Sequence, residues 1–101
     1  MGACDFVTKA VGETAEEAFG VAVEDAKYEH GHGGYTGTIA EKDSFVMIDL
    51  PEGEDPEDYA YRLIEKDDPR IADKWGAAGC IRCPDRKNGQ RVWLFFGYAS
   101  S

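Results

Sequence analysis

Ten residues, Glu29-His30-Gly31-His32-Gly33-Gly34-Tyr35-Thr36-Gly37-Thr38, hold both histidines of the chain and four of its twelve glycines. Imidazole and hydroxyl groups donate and accept hydrogen bonds, the Tyr35 ring offers a stacking face, and glycine lets the backbone come close to a bound molecule. These are the parts of a site for a small polar ligand, with His30, His32, Gly33, Gly34, Tyr35, Thr36 and Thr38 as its contacts. Lys42 and Arg91 are the cations that would neutralise a phosphate if the fold carries them there. A plainer reading of the same residues is structural: Gly31 caps a helix, Gly33-Gly34 turns the chain, and the histidines stay in water. The segment does not read as a phosphate-binding P-loop, because its glycines follow a helix instead of preceding one and no helix N-terminus would point at the anion.

Metal chemistry has one candidate. Cys80-Ile81-Arg82-Cys83 has CxxC spacing, and His30 with His32 would bring the ligands to four. In a strand, however, positions three apart point to opposite faces, so no metal site is expected and the cysteines read as packing residues. A nucleophile at Cys4 or Ser44 would need one of the two histidines beside it in space. The twenty carboxylates leave no pair that stands out for acid-base work. Binding is therefore expected over catalysis, with no catalytic residue and no cofactor assigned.

The elements that must position these groups follow from local pattern. Cys4 to Val11 alternates as a strand. Thr14-Ala15-Glu16-Glu17 forms a capping box ahead of a helix whose Ala15, Ala18, Phe19, Ala22, Val23 and Ala26 share one stripe. Tyr35 to Glu41 and Ser44 to Leu50 read as a hairpin turned at Lys42-Asp43, its second arm apolar on both faces and so expected inside the sheet. Asp55 as N-cap and Pro56 at the first helical position open a second helix, with Tyr59, Ala60, Leu63 and Ile64 on its buried face. Asp68-Pro69 can start a short helix through Ile71 to Trp75. Two strands, Ala78 to Cys83 and Gln90 to Tyr98, close the chain around an Asn88-Gly89 turn. The expected fold is α+β: a single antiparallel sheet of about five strands with two main helices on one face, ferredoxin-like β-α-β-β-α-β plus an extra C-terminal strand.

Composition bounds the role. The 101 residues, 43% of them hydrophobic, suit a single compact α+β domain over 1–101. A formal charge of −9 repels phosphate backbones, so neither general nucleic-acid binding nor adhesion to an anionic membrane is expected. No apolar run approaches the roughly 20 residues that span a bilayer, and Met1 to Phe6 lacks the basic and apolar regions of a secretory signal. The expectation is a cytoplasmic protein with reduced thiols.

Acidic residues crowd between Asp49 and Asp73, so the second helix presents an acidic face on which Glu57 and Asp58 are the candidate contacts for a partner protein. The terminal hairpin is the opposite, with Arg82, Arg86, Lys87 and Arg91 against Asp85. Val92-Trp93-Leu94-Phe95-Phe96 is apolar on both sheet faces. With two helices on one side, Trp93 and Phe95 would lie open on the other, which predicts a homodimer or larger closed assembly with Trp93 in its interface.

The run GHGGYTGTIAEKDSFVMIDLPEG, with ACDF before it and DKWGAAGCI after it, resembles a set of short uncharacterised proteins of tailed bacteriophages and prophages. The resemblance covers most of the chain. It implies a setting, the host cell cytosol, and an accessory role in which such a protein binds a host protein or sequesters a signalling nucleotide. The leading expectation is a non-enzymatic accessory protein that binds a small polar, nucleotide-like ligand through the glycine-rich loop. The alternative is an inhibitor or nucleic-acid mimic that binds a host factor through the acidic second helix.

Overall fold

The computed structural model describes residues 3–30, 38–39, 42–73 and 76–100. Its elements are β1 (Ala3–Val11), α1 (Ala15–His30), β2 (Phe45–Met47), α2 (Pro56–Glu65), β3 (Ala78–Lys87) and β4 (Gln90–Ser100). The fold is α+β, one mostly antiparallel sheet with two helices, and the described strands lie in the order β1-β4-β3-β2. β4 pairs antiparallel with both β1 and β3, while β2 runs parallel to β3.

Local chemistry sets the element ends. Thr14 Oγ1 accepts from the Glu17 amide at 3.2 Å, and the Glu17 carboxylate reaches back to the Glu13 amide at 3.2 Å, so the first turn of α1 is capped in both directions. Asp55 accepts from the amides of Glu57 and Asp58 ahead of Pro56, which has no amide to leave unpaired. At the other end of α2 the Tyr98 hydroxyl lies 2.6 Å from the Ile64 carbonyl and 3.0 Å from the Asp67 carboxylate. The Ile64 carbonyl, which already accepts from the Asp67 amide at 3.1 Å, thereby gains a second donor from β4. Asn88 and Gly89 both take positive φ, 52° and 79°, as a two-residue hairpin matched to strand twist requires.

The two helices cover opposite faces of the sheet, a correction to the expectation that both lie on one. On the α1 face, Ala18 and Ala22 pack with Ala10, Ile39, Cys80, Trp93 and Phe95. There the rings of Phe19, Phe45 and Phe95 form a triangle with centroids 5.1 to 5.8 Å apart. On the α2 face, Ala60, Leu63 and Ile64 pack with Ile48, Ile71, Ile81, Leu94 and Phe96. Connection geometry accounts for this. β1, β2 and β3 run one way, so β1-α1-β2 crosses the sheet in one direction and β2-α2-β3 returns in the other. Two crossovers of the same hand travelling in opposite directions lay their helices on opposite faces.

Three further expectations change with it. The hairpin arm at Ser44 to Leu50 shrinks to a three-residue strand, which among the described residues pairs on one side only, with β3, and in parallel. The proposed first arm, Tyr35 to Glu41, lies largely outside the described residues. The short helix from Pro69 is a turn across its described residues, held by the Ile71 amide on the Asp68 carbonyl at 3.0 Å. Trp93, expected at a subunit interface, is 7% exposed beneath α1, so the open apolar face on which the dimer argument stood does not exist.

Candidate ligand site

A cleft of about 270 Å³ opens between β1 and the C-terminal half of α1, lined by Phe6, Thr8, Asp25, Glu29, Thr38 and Ile39 among others. Residue size creates it. Ala22 and Ala26 stand one turn apart on the helix stripe that faces β1, and their single methyl groups leave room that larger side chains would fill. Phe6, Thr8 and Ala10 alternate onto the α1 side of β1, while Lys9 points the other way to α2. Phe6 and Ile39 give the cleft an apolar wall, and Thr8 and Thr38 contribute hydroxyls.

Asp25 and Glu29 are four residues apart, so both carboxylates stand over the same strip of the cleft. Such like charges repel, and among the described residues neither carboxylate is held in an ion pair. The cleft is electronegative and mixed in polarity. Such a lining suits hydroxyl and amine groups and disfavours phosphate.

Of the residues assigned from the sequence, the structure places Thr38 in this cleft. His30 closes α1, while its side chain and all of His32, Gly33, Gly34, Tyr35 and Thr36 lie outside the described residues. Lys42 is not a solvent-facing cation. It is 4% exposed, and its Nζ donates to the Gly76 carbonyl at 2.9 Å and approaches the Asp73 carbonyl at 3.5 Å, which ties Asp73 and Gly76 to the segment ahead of β2. Arg91 stands at the wrong end of α1. Its carbonyl accepts from the Gly12 amide at 3.1 Å, just ahead of the helix, whereas Glu29 and Thr38 lie near the helix C-terminus. The 15 residue steps of Ala15–His30 separate the two ends by about 22 Å.

On α2, Glu57 forms an ion pair with Lys9 at 2.7 Å, and this hydrogen-bonded carboxylate raises the Lys9 pKa above the usual lysine value. Asp58 is exposed beside it. Cys80 faces α1 and Cys83 faces α2, so the two sulfurs point to opposite sides of the sheet and cannot share a metal. Burial pushes the Cys80 thiol up to about 12, which removes it as a nucleophile at neutral pH.

Thr8, Asp25 and Glu29 were not singled out from the sequence. The available signal was the pairing of two carboxylates with two alanines at matching four-residue spacing, which marks a shallow part of the helix face. Comparison with protein-family models, with curated proteins and with solved structures finds no match.

Proposed function

We propose that this chain is a non-enzymatic, phage-type accessory protein that binds a small polar ligand at the cleft between β1 and α1, next to the glycine-rich segment. The observation that carries the reading is Thr38. It closes the ten-residue segment read from the sequence as a binding loop, and it lines the same cleft as Thr8, Asp25 and Glu29. Hydroxyls and carboxylates over an apolar wall suit a molecule with a flat apolar part and hydroxyl or amine substituents, as a nucleoside has. The volume, near the lower end for ligand pockets, favours a compound of that size.

A thermal-shift panel of nucleosides, cyclic nucleotides and diamines tests this. At least one class raises the midpoint, and Thr38→Val and Glu29→Gln each reduce the shift. The reading is sunk if no member of the panel shifts the midpoint, or if a shift survives both substitutions.

A second reading rests on α2. Glu57, Tyr61 and Glu65 recur every four residues, with Asp58 beside them, and Tyr61 is 48% exposed among these carboxylates. An exposed aromatic ring on an acidic stripe suits a basic surface of a host protein. Capture of a host factor that persists after reversal of Glu57 and Asp58 to lysine counts against it.

No described helix is long and apolar enough to cross a membrane.

A further inference from the structure

Strand β3 breaks its regular pairing at Pro84. Arg82 stands opposite Trp93 and the next paired residue, Arg86, stands opposite Arg91, so β3 spends four steps where β4 spends two. Proline has no amide for a ladder, and a bulge is where a sheet accommodates it. The bulge changes the spacing of charge. In a regular strand Arg82 and Arg86 would be about 13 Å apart, but the register sets them beside β4 positions about 7 Å apart.

Directly opposed residues in an antiparallel pair share a face. Trp93 and Arg91 are two apart on β4, so Arg82, Arg86 and Arg91 all project to one side, beyond the first turn of α1. With Cys83 and Pro84 they line a groove of about 190 Å³.

No carboxylate is among the residues that line this groove, and Asp55 belongs to the adjoining cleft that it shares with Arg86 and Lys87. Arg86 and Arg91 are directly opposed like charges, an unfavourable arrangement in a sheet. Among the described side chains no ion pair engages Arg86, Lys87 or Arg91, and the Arg86 guanidinium donates instead to the Gly89 carbonyl at 3.3 Å. The chain carries twenty acidic residues against eleven basic ones, so a local excess of arginine runs against its composition.

We propose that this groove is an oxyanion site that receives the phosphate of a small phosphorylated molecule. Guanidinium groups meet phosphate oxygens in paired, charge-assisted hydrogen bonds, and several forks converging on one volume define the position of a single such group. The size of the ligand follows from two observations. The groove holds about six water volumes, enough for a phosphate or a pyrophosphate. The net charge of −9 repels an extended polyanion, whose neighbouring phosphates would run out over acidic surface. The site lies at the opposite end of α1 from the cleft described above and is independent of it.

The test is a titration of the intact protein with inorganic phosphate, pyrophosphate and a nucleoside diphosphate at constant ionic strength, followed by amide and arginine Nε-H chemical shifts. Saturable shifts confined to residues 82–91 are expected with pyrophosphate. Arg86→Gln and Arg91→Gln should each weaken binding by at least about tenfold, the loss expected for one charge-assisted pair. Both side chains lie at the surface, and thermal unfolding of each variant checks that the fold persists. Equal affinity for pyrophosphate and the diphosphate identifies the inorganic anion as sufficient; tighter binding of the diphosphate identifies an organic phosphate. The proposal is overturned if chloride produces the same shifts, if both variants bind unchanged, or if an oligonucleotide binds more tightly than either small anion.

Discussion

The indole nitrogen of Trp93 donates to the carbonyl oxygen of Gly12 at 3.0 Å, tying the inner strand β4 to the joint between β1 and α1. The same joint is closed by the Gly12 amide on the Arg91 carbonyl. Gly12 is also sterically required, since a Cβ there would stand 2.8 Å from the Ala18 amide nitrogen. One buried aromatic residue thus fixes where the first helix begins.

Trp93→Phe keeps most of the apolar volume and removes the donor, leaving the Gly12 carbonyl without its partner. A loss of about 1–3 kcal/mol is expected in urea unfolding with the slope unchanged. Trp93→Glu should unfold the chain outright. A folded Trp93→Glu protein would contradict the burial of this residue.

Gly79 and Phe96 are cross-strand partners, and a Cβ on Gly79 would stand 2.6 Å from the Phe96 ring and 3.0 Å from Ile71. Gly79→Ala should cost about 1–3 kcal/mol through overpacking. Combined with Phe96→Leu, which frees that space, the two losses should add to less than their sum. Strict additivity would show that the ring does not lie over Gly79.

Lys42→Met should destabilise by about 1–3 kcal/mol, because the Gly76 carbonyl loses a charged donor. Chemical denaturation measures the loss. A substitution without cost would mean that Asp73 and Gly76 are held in place without this lysine.

The Arg70 guanidinium, bonded to both Asp68 oxygens at 2.9 and 2.8 Å, lowers the Asp68 pKa from 3.8 to about 2. A carboxyl depressed in the folded state stabilises it above its unfolded pKa. That contribution is complete above about pH 5 and is lost as pH falls through 4 toward 2. The pair is partly exposed, so its worth is under about 1 kcal/mol. Asp68→Asn should flatten this part of the acid-unfolding curve while leaving neutral stability lower by that amount. An unchanged acid limb would show that the pair persists in the unfolded chain.

Cys4 is exposed, whereas Cys80 and Cys83 are buried. A thiol reagent at neutral pH should label Cys4 first, and Cys80 only as fast as the protein unfolds. Peptide mapping of partially labelled protein reads the order, and early labelling of Cys80 would contradict its place under α1.

How much of this was visible in the sequence depended on whether the signal was local. Thr14 with Glu17, Asp55 with Pro56, and Asn88 with Gly89 each act through their own backbone, and each stands where its chemistry put it. The class of fold followed from these and from the apolar periodicities. The covering of the sheet did not. Val92 to Phe96 announced that both faces needed burial, but an apolar run carries no direction, so nothing showed that β2 would pair parallel and return the chain over the second face. The candidate site divides the same way. Thr38 belongs to a compositional cluster, whereas Thr8, Asp25 and Glu29 resemble ordinary solvated residues until β1 and α1 are set side by side. Lys42 misled because its partners, the carbonyls of Asp73 and Gly76, lie more than thirty positions away.

The placement of β4 bears on how the chain is born. Among the described strands β4 is last in order of synthesis, yet it is the seam on which β1 and β3 both pair, with Cys4 opposite Ala99 and Cys80 opposite Phe95. A nascent chain extended only to Lys87 would carry β1 and the short β2·β3 pair with nothing between them. Closing that gap joins residues more than ninety positions apart, the kind of long-range pairing that delays folding. The sheet therefore assembles after the ribosome has released β4. Until then the apolar faces of both halves stay open to chaperones and to neighbouring chains.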